Sequence, residues 1–209
     1  ITGCRMTQRS AKYTRAAPEA RRRDLIDATM RCLANHGPGA ATIQKICQEA
    51  GVSLGLISHY FGGKDGLMAE TYQAMADQMS TTISAVIDRE GLPPAERLRK
   101  LVEMTFRPPF FSDDSISVWL ALWAMARTTP ALRDRHAKLY ADYRGYLRRM
   151  FEDLAQERGI EVDAHRLSIL FTGLEDGMWL DWCLDPSAFS PAEAEAACLD
   201  MLEHYFGPF

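Results

Sequence analysis

An all-α fold of about nine helices is predicted for this chain by three observations. Apolar residues recur at three- and four-residue spacing through most of its 209 residues, glycine and proline interrupt them at helix-length intervals, and no stretch makes a convincing strand. The composition agrees, because 47% hydrophobic and 25% charged residues supply a core and set aside disordered and collagen-like chains.

Taken in order, residues 1–17 hold Arg, Lys, Ser and Thr without apolar periodicity and read as a flexible basic arm. Pro18 then opens a helix where its missing N–H costs nothing, and Leu25, Ile26, Thr29, Met30 and Leu33 follow at helical spacing until Gly37-Pro38-Gly39 stops it. Thr42 reads as the N-cap of a short second helix with Ile43, Ile46, Cys47 and Ala50 on one face, ended by Gly51. Val52 and Ser53 begin a third helix that runs to about His59. Gly62-Gly63 breaks the chain before a long helix from Lys64 to about Asp88, which carries Leu67, Met68, Tyr72, Met75, Met79, Ile83 and Val86. Periodicity resumes after Pro94 through Leu98, Leu101, Val102 and Phe106 until Pro108-Pro109 forbids continuation. Four more helices are expected at about 113–128, 130–158, 163–184 and 190–206, punctuated by Pro130, Gly159, Pro186 and Pro191.

Several function classes fall away at this stage. No apolar run approaches the roughly 20 residues of a membrane span, and the opening residues lack a signal peptide's apolar core, so a cytoplasmic protein without a membrane partner is expected. The five cysteines (Cys4, Cys32, Cys47, Cys183, Cys198) show no CxxC pairing and are expected as reduced, buried thiols. There is no Gly-rich phosphate loop, no Ser or Cys nucleophile in a recognisable setting, no HExxH and no Glu-x-x-His pair, so neither catalysis nor a cofactor nor a metal site is expected. The net charge of −4 hides an asymmetry: residues 1–64 carry ten Lys/Arg against four acids, a net of +6, which leaves −10 on the remainder. A basic end on an acidic body suits a chain that meets a polyanion at one end, and argues against a non-specific architectural DNA binder, which would be basic throughout.

The stretch from Thr42 to Leu67 carries the most information. Two short helices joined by Ala50-Gly51-Val52 make a helix-turn-helix, in which glycine permits the positive φ of the tight turn and Val52 fills the angle between helices. With Ile43, Ile46, Ala50, Val52, Ile57 and Phe61 inward, Gln44, Lys45, Ser53, Leu54, Gly55, Ser58, His59 and Tyr60 are left to face a duplex. Taken alone, His59 and Tyr60 also suit plain packing at a helix end. His59 shares no ligand spacing with His36, His136, His165 or His204.

Over these residues the chain resembles the TetR family of transcriptional repressors. Thr42 capping the second helix, Ala50 to Ser53 in the turn, Tyr60-Phe61 ending the third helix and Lys64 opening the fourth all match that pattern, whereas Gly62-Gly63 replaces the usual polar cap. The resemblance implies a homodimer on palindromic double-stranded operator DNA, with Thr42, Tyr60 and Lys64 on backbone phosphates and the third helix reading base edges in the major groove. It divides the chain into a basic arm (1–17), a helix-turn-helix DNA-binding domain (18–63) and a ligand-binding and dimerisation domain (64–209). In such dimers the last two helices meet their two-fold mates as a four-helix bundle, with Leu199, Leu202 and Phe206 expected at the seam.

Beyond the motif, the chain is similar to the choline-sensing repressors of glycine betaine synthesis. Arg21 to Ala28, Gly55 to Phe61, Trp119-Leu120-Ala121-Leu122-Trp123 and Asp176-Gly177-Met178-Trp179-Leu180 carry that similarity. Trp119 and Trp123 lie four apart, Trp179 and Trp182 three apart, and Glu175 sits one turn before Trp179 with Asp176 beside it. Aromatic faces with nearby carboxylates attract a quaternary ammonium, and Tyr143 and Phe171 are expected as further walls of a pocket for a small-molecule inducer. The same spacing suits plain core packing, and a neutral apolar or aromatic inducer is the alternative.

Overall fold

A computed structural model describes residues 18–87 and 91–209; the arm expected over 1–17 and Cys4 lie outside the described residues. Nine α-helices, and no strand, lie among the described residues. The first, α1 (Pro18–Ala40), buries Leu25, Ile26, Ala28, Thr29, Cys32 and Leu33, and its helical path breaks at Gly37 (φ 69°), as the Gly-Pro-Gly stop predicts. In α2 (Ile43–Ala50), the Thr42 hydroxyl caps the helix by accepting from Lys45 N, and Gly51 leaves the helix left-handed at φ 65°, ψ 35°. The third helix, α3 (Gly55–Phe61), starts later than expected. Leu56 N donates to Ser53 O (3.1 Å) and Ile57 N to Leu54 O (3.3 Å), so Ser53 and Leu54 belong to a tight entry turn.

The long α4 (Lys64–Ile87) packs against α1 and α3 as well as α5 (Pro94–Thr105), α6 (Asp113–Ala126) and α7 (Pro130–Arg158). It therefore belongs to both ends of the molecule. At its start the backbones of α3 and α4 touch: a Cβ on Gly66 would lie 1.9 Å from Phe61 O, so only glycine fits. The body is completed by α8 (Ala164–Leu184) and α9 (Pro191–Phe206), whose Ser190/Glu193 capping box ties down the α9 start. Leu98, Leu101, Leu122, Leu147, Phe151 and Phe171 are buried at its centre. Cys32, Cys47 and Cys198 are free and buried as expected, while Cys183 is free but half-buried.

The expected seam of Leu199, Leu202 and Phe206 is corrected at the last two. Leu202 and Phe206 are buried within this one chain, where Phe206 stacks on Phe151 at 5.7 Å between ring centroids, and Leu199 is half-buried. Leu202 and Phe206 are core residues because α9 lays that face on α5 and α7. The large apolar side chains that remain exposed here are Ile169, Leu170, Leu180 and Leu184 on α8 and Tyr205 on α9.

Candidate DNA-reading face and ligand cavity

At the N-terminal end, Ile46 and Ile57 are fully buried, and Ile43, Ala50, Val52 and Phe61 pack half-buried against the core. This fixes the outward set. Thr42, Gln44, Ser53, Leu54, Gly55, Ser58 and His59 are exposed, and Lys45, Tyr60 and Lys64 are half-buried. Leu54, 55% exposed beside two small residues, gives this face an apolar point among polar neighbours. The rings of His59 and Tyr60 meet edge to face at 4.9 Å, and Tyr60 and Phe61 at 6.4 Å. Below them Arg22 of α1 donates to Tyr60 O at 2.6 Å and stacks on the Phe61 ring at 4.8 Å, supporting the end of α3 from beneath.

In the body, α4, α6, α7 and α8 line a cavity of about 300 Å³. Of the eight residues expected at a pocket, Trp119, Trp123, Tyr143, Glu175, Asp176 and Trp179 line it. Phe171 and Trp182 do not. Phe171 is packed away on Phe151 (6.1 Å) and Trp182 on Phe111 (4.6 Å), because helical spacing fixes a side chain's direction around α8 but not the depth of the neighbour it meets. The pocket also takes Tyr140 and Tyr146 from α7, Thr105, Thr172 and a wall of α4. Tyr140, Tyr143 and Tyr146 form a stripe at three-residue spacing, the sequence signal that would have found them.

Its electrostatics are set by two adjacent acids, Glu175 buried and Asp176 half-buried. Glu175 accepts from the Tyr143 hydroxyl through Oε2 (2.7 Å), and Asp176 accepts from the Tyr140 hydroxyl (3.0 Å). Glu175 Oε1 has no hydrogen-bond partner, since the neighbouring Thr105 hydroxyl donates to Leu101 O (3.0 Å). Neither acid has an ion-pair partner among the described residues. Burial, reinforced by the charge of Asp176 and opposed by the Tyr143 hydrogen bond, pushes the Glu175 carboxyl up to about 8. Burial likewise raises Asp176 to about 6 against the opposing effects of the Tyr140 hydrogen bond and the Arg144 charge. Burial also lowers His136, helped by Arg144, and the His136 Nδ1 and Tyr72 hydroxyl lie 3.0 Å apart behind the pocket. Trp119 and Trp123 tilt together at 6.2 Å, Tyr72 meets Trp119 edge-on at 5.3 Å, and Tyr140 closes on Trp123 at 6.4 Å. The Trp179 indole N–H, like Glu175 Oε1, is buried without a partner. Arg135, Lys138 and Arg149 also line the cavity, but aromatic walls around two carboxyls that make no ion pair favour a cation beside Glu175 over an anion.

Residues 25–71 match the family described as bacterial regulatory proteins, tetR family, and residues 94–207 match the BetI-type transcriptional repressor C-terminal family. The chain belongs to the TetR family, as a BetI-type transcriptional repressor. The HTH-type transcriptional regulator BetI of Vibrio parahaemolyticus is 31% identical over 189 residues, 89% of this chain and 92% of that protein. Among solved structures, a transcriptional regulator from Pseudomonas aeruginosa PAO1 superposes with a TM-score of 0.82 at 35% identity, covering 93% of this repressor and 95% of that chain. A regulator from Saccharomonospora viridis, solved in complex with choline, superposes at 0.80 over 90% of this repressor and 97% of that chain; at 24% identity it shows a shared fold. The all-helical architecture and the regulatory, non-enzymatic role expected from the sequence both stand on these likenesses. No helix among the described residues is long and apolar enough to cross a membrane.

Proposed function

We propose that this repressor binds a palindromic operator as a cytoplasmic homodimer and is released from it by a small quaternary ammonium, choline first. The observation that carries the ligand class is Glu175: a buried carboxyl with one unpartnered oxygen, in a chamber walled by Trp119, Trp123 and Trp179. A methylated cation there gains ring contacts of about 0.5–2 kcal/mol each and offsets the cost of ionising the acid. Choline in the Saccharomonospora viridis regulator and the BetI-type relatives support the same class.

Residues 18–63 serve as the DNA-binding domain and 64–209 as the sensing and dimerisation domain. Thr42, Tyr60 and Lys64 hold phosphates, while Gln44, Lys45, Ser53, Leu54, Gly55, Ser58 and His59 meet the groove. The exposed face of α8 supports the second copy. Ile169, Leu180 and Leu184 share it with Gly173 and Gly177, whose Cβ positions meet nothing within 4 Å. Glycine inside a helix costs about 1 kcal/mol against alanine, a cost that the close approach of a partner helix explains. Ligand binding shifts α4 as a pendulum and spreads the two recognition helices beyond groove spacing, about 34 Å.

Calorimetry with choline and its neutral isostere 3,3-dimethylbutanol tests the reading. Choline should bind at least tenfold more tightly. Equal affinity would remove the cation chamber, and no heat from either would remove the ligand class.

A further inference from the structure

The ligand cavity and the DNA-reading helix lie at opposite ends of α4, yet a continuous chain of polar contacts joins them. Arg135, on α7, lines the cavity. Its Nη1 donates to Gln73 Oε1 (3.0 Å) and its Nη2 to Glu70 Oε1 (3.0 Å), both on α4. The other oxygen of the same carboxylate, Glu70 Oε2, takes Nη2 of Arg22 on α1 at 3.1 Å. The remaining arm of Arg22, Nη1, donates to Tyr60 O at 2.6 Å while the guanidinium lies over Phe61. Tyr60 O is one of the last carbonyls of α3, which have no amide of the next turn to accept from, so a cation there caps the helix and favours its negative end.

We infer that Glu70 is a positioning residue that couples the cavity to the recognition helix, by holding Arg135 of the cavity wall and Arg22 of the α3 cap on one carboxylate. This rests on the reading that α3 meets DNA and that the cavity takes the inducer. The planar guanidinium forks make the arrangement directional, and each oxygen of Glu70 serves a different arginine, so neither contact can shift without redirecting the carboxylate. Any occupant that moves Arg135 thereby alters the hold on Tyr60 O, about three helices away. The three side chains are each about one-third exposed, so single pairs contribute little; it is the sharing of Glu70 that predicts non-additive behaviour.

Amide hydrogen exchange over residues 55–61 tests the relay without DNA or ligand. Arg135→Met, which touches nothing in α3, should speed exchange there severalfold, and Glu70→Gln should do the same. In an Arg22→Met background, Arg135→Met should add nothing. Arg135→Lys, which keeps a charge on Glu70, should restore most of the protection and shows that the effect is not general loosening. Unchanged exchange in Arg135→Met, or effects that multiply in the double variant, would overturn the coupling. The second readout is anisotropy on the repressor's own promoter fragment, with choline as probe. Here wild type should lose affinity on choline addition and Glu70→Gln should lose that response by at least threefold. A wild type that ignores choline contradicts the proposed inducer while leaving the exchange result to stand or fall alone.

Discussion

Glu175 and Asp176 are neighbours in sequence, but α8 turns them toward different tyrosines, and Glu175 keeps a fully buried oxygen unpartnered. That difference has a pH signature. With Glu175 raised to about 8, the ligand-free site is protonated at neutral pH, and a cation that needs the carboxylate must expel the proton. Choline affinity should therefore rise as pH goes from 6.5 to 8, approaching tenfold per unit, and level off above about 8. Calorimetry across that range checks it, and Glu175→Gln should bind more weakly with a flat profile. The stability of the ligand-free protein moves the other way. A carboxyl raised above its unfolded value favours the fold in its neutral form, so that contribution is present at low pH and is lost as pH rises through about 8. Thermal unfolding between pH 5.5 and 8.5 should show wild type declining more steeply than Glu175→Gln.

At the scale of the elements, most boundaries were legible because proline and glycine act locally: Pro18, Pro94, Pro130 and Pro191 each open a helix, and Gly51 and Gly159 each close one left-handed at φ 65°. Residues of the third helix were legible as a face, but its start was not, since the Ser53-Leu54 turn depends on i→i+3 bonds that no residue type announces. The cavity was half legible. Six of its eight expected residues line it, whereas Phe171 and Trp182 share α8 with them yet meet Phe151 and Phe111, whose positions come from other helices. Arg135 and Glu70 escaped notice because their pairing spans 65 residues of sequence. The outward face of α2 and α3 allows a division of labour to be measured. Lys64→Ala and Tyr60→Phe should weaken binding to all sequences by similar factors, while Ser53 or Leu54 substitutions should change which site is preferred. Selection from a randomised operator library separates the two, and uniform losses from both groups would undo the division.

For the whole molecule, the charge split and the α8 face set the expected behaviour. Operator affinity should fall steeply with salt as phosphate counterions are exchanged, and titration between 50 and 200 mM salt reads that slope directly. Leu180→Glu with Leu184→Glu should give a folded monomer by analytical ultracentrifugation, because both side chains are exposed in the single chain. Leu202→Glu, at a fully buried position, should unfold the protein rather than divide the dimer, and circular dichroism distinguishes the two outcomes. The contact between Gly66 and Phe61 O bears on all of this. A corner with no room for even one methyl group leaves α3 no space to close further on α4. On the proposed pendulum, a tilt of α4 toward this corner would carry α3 with it, like the two arms of a bell crank cut from one piece.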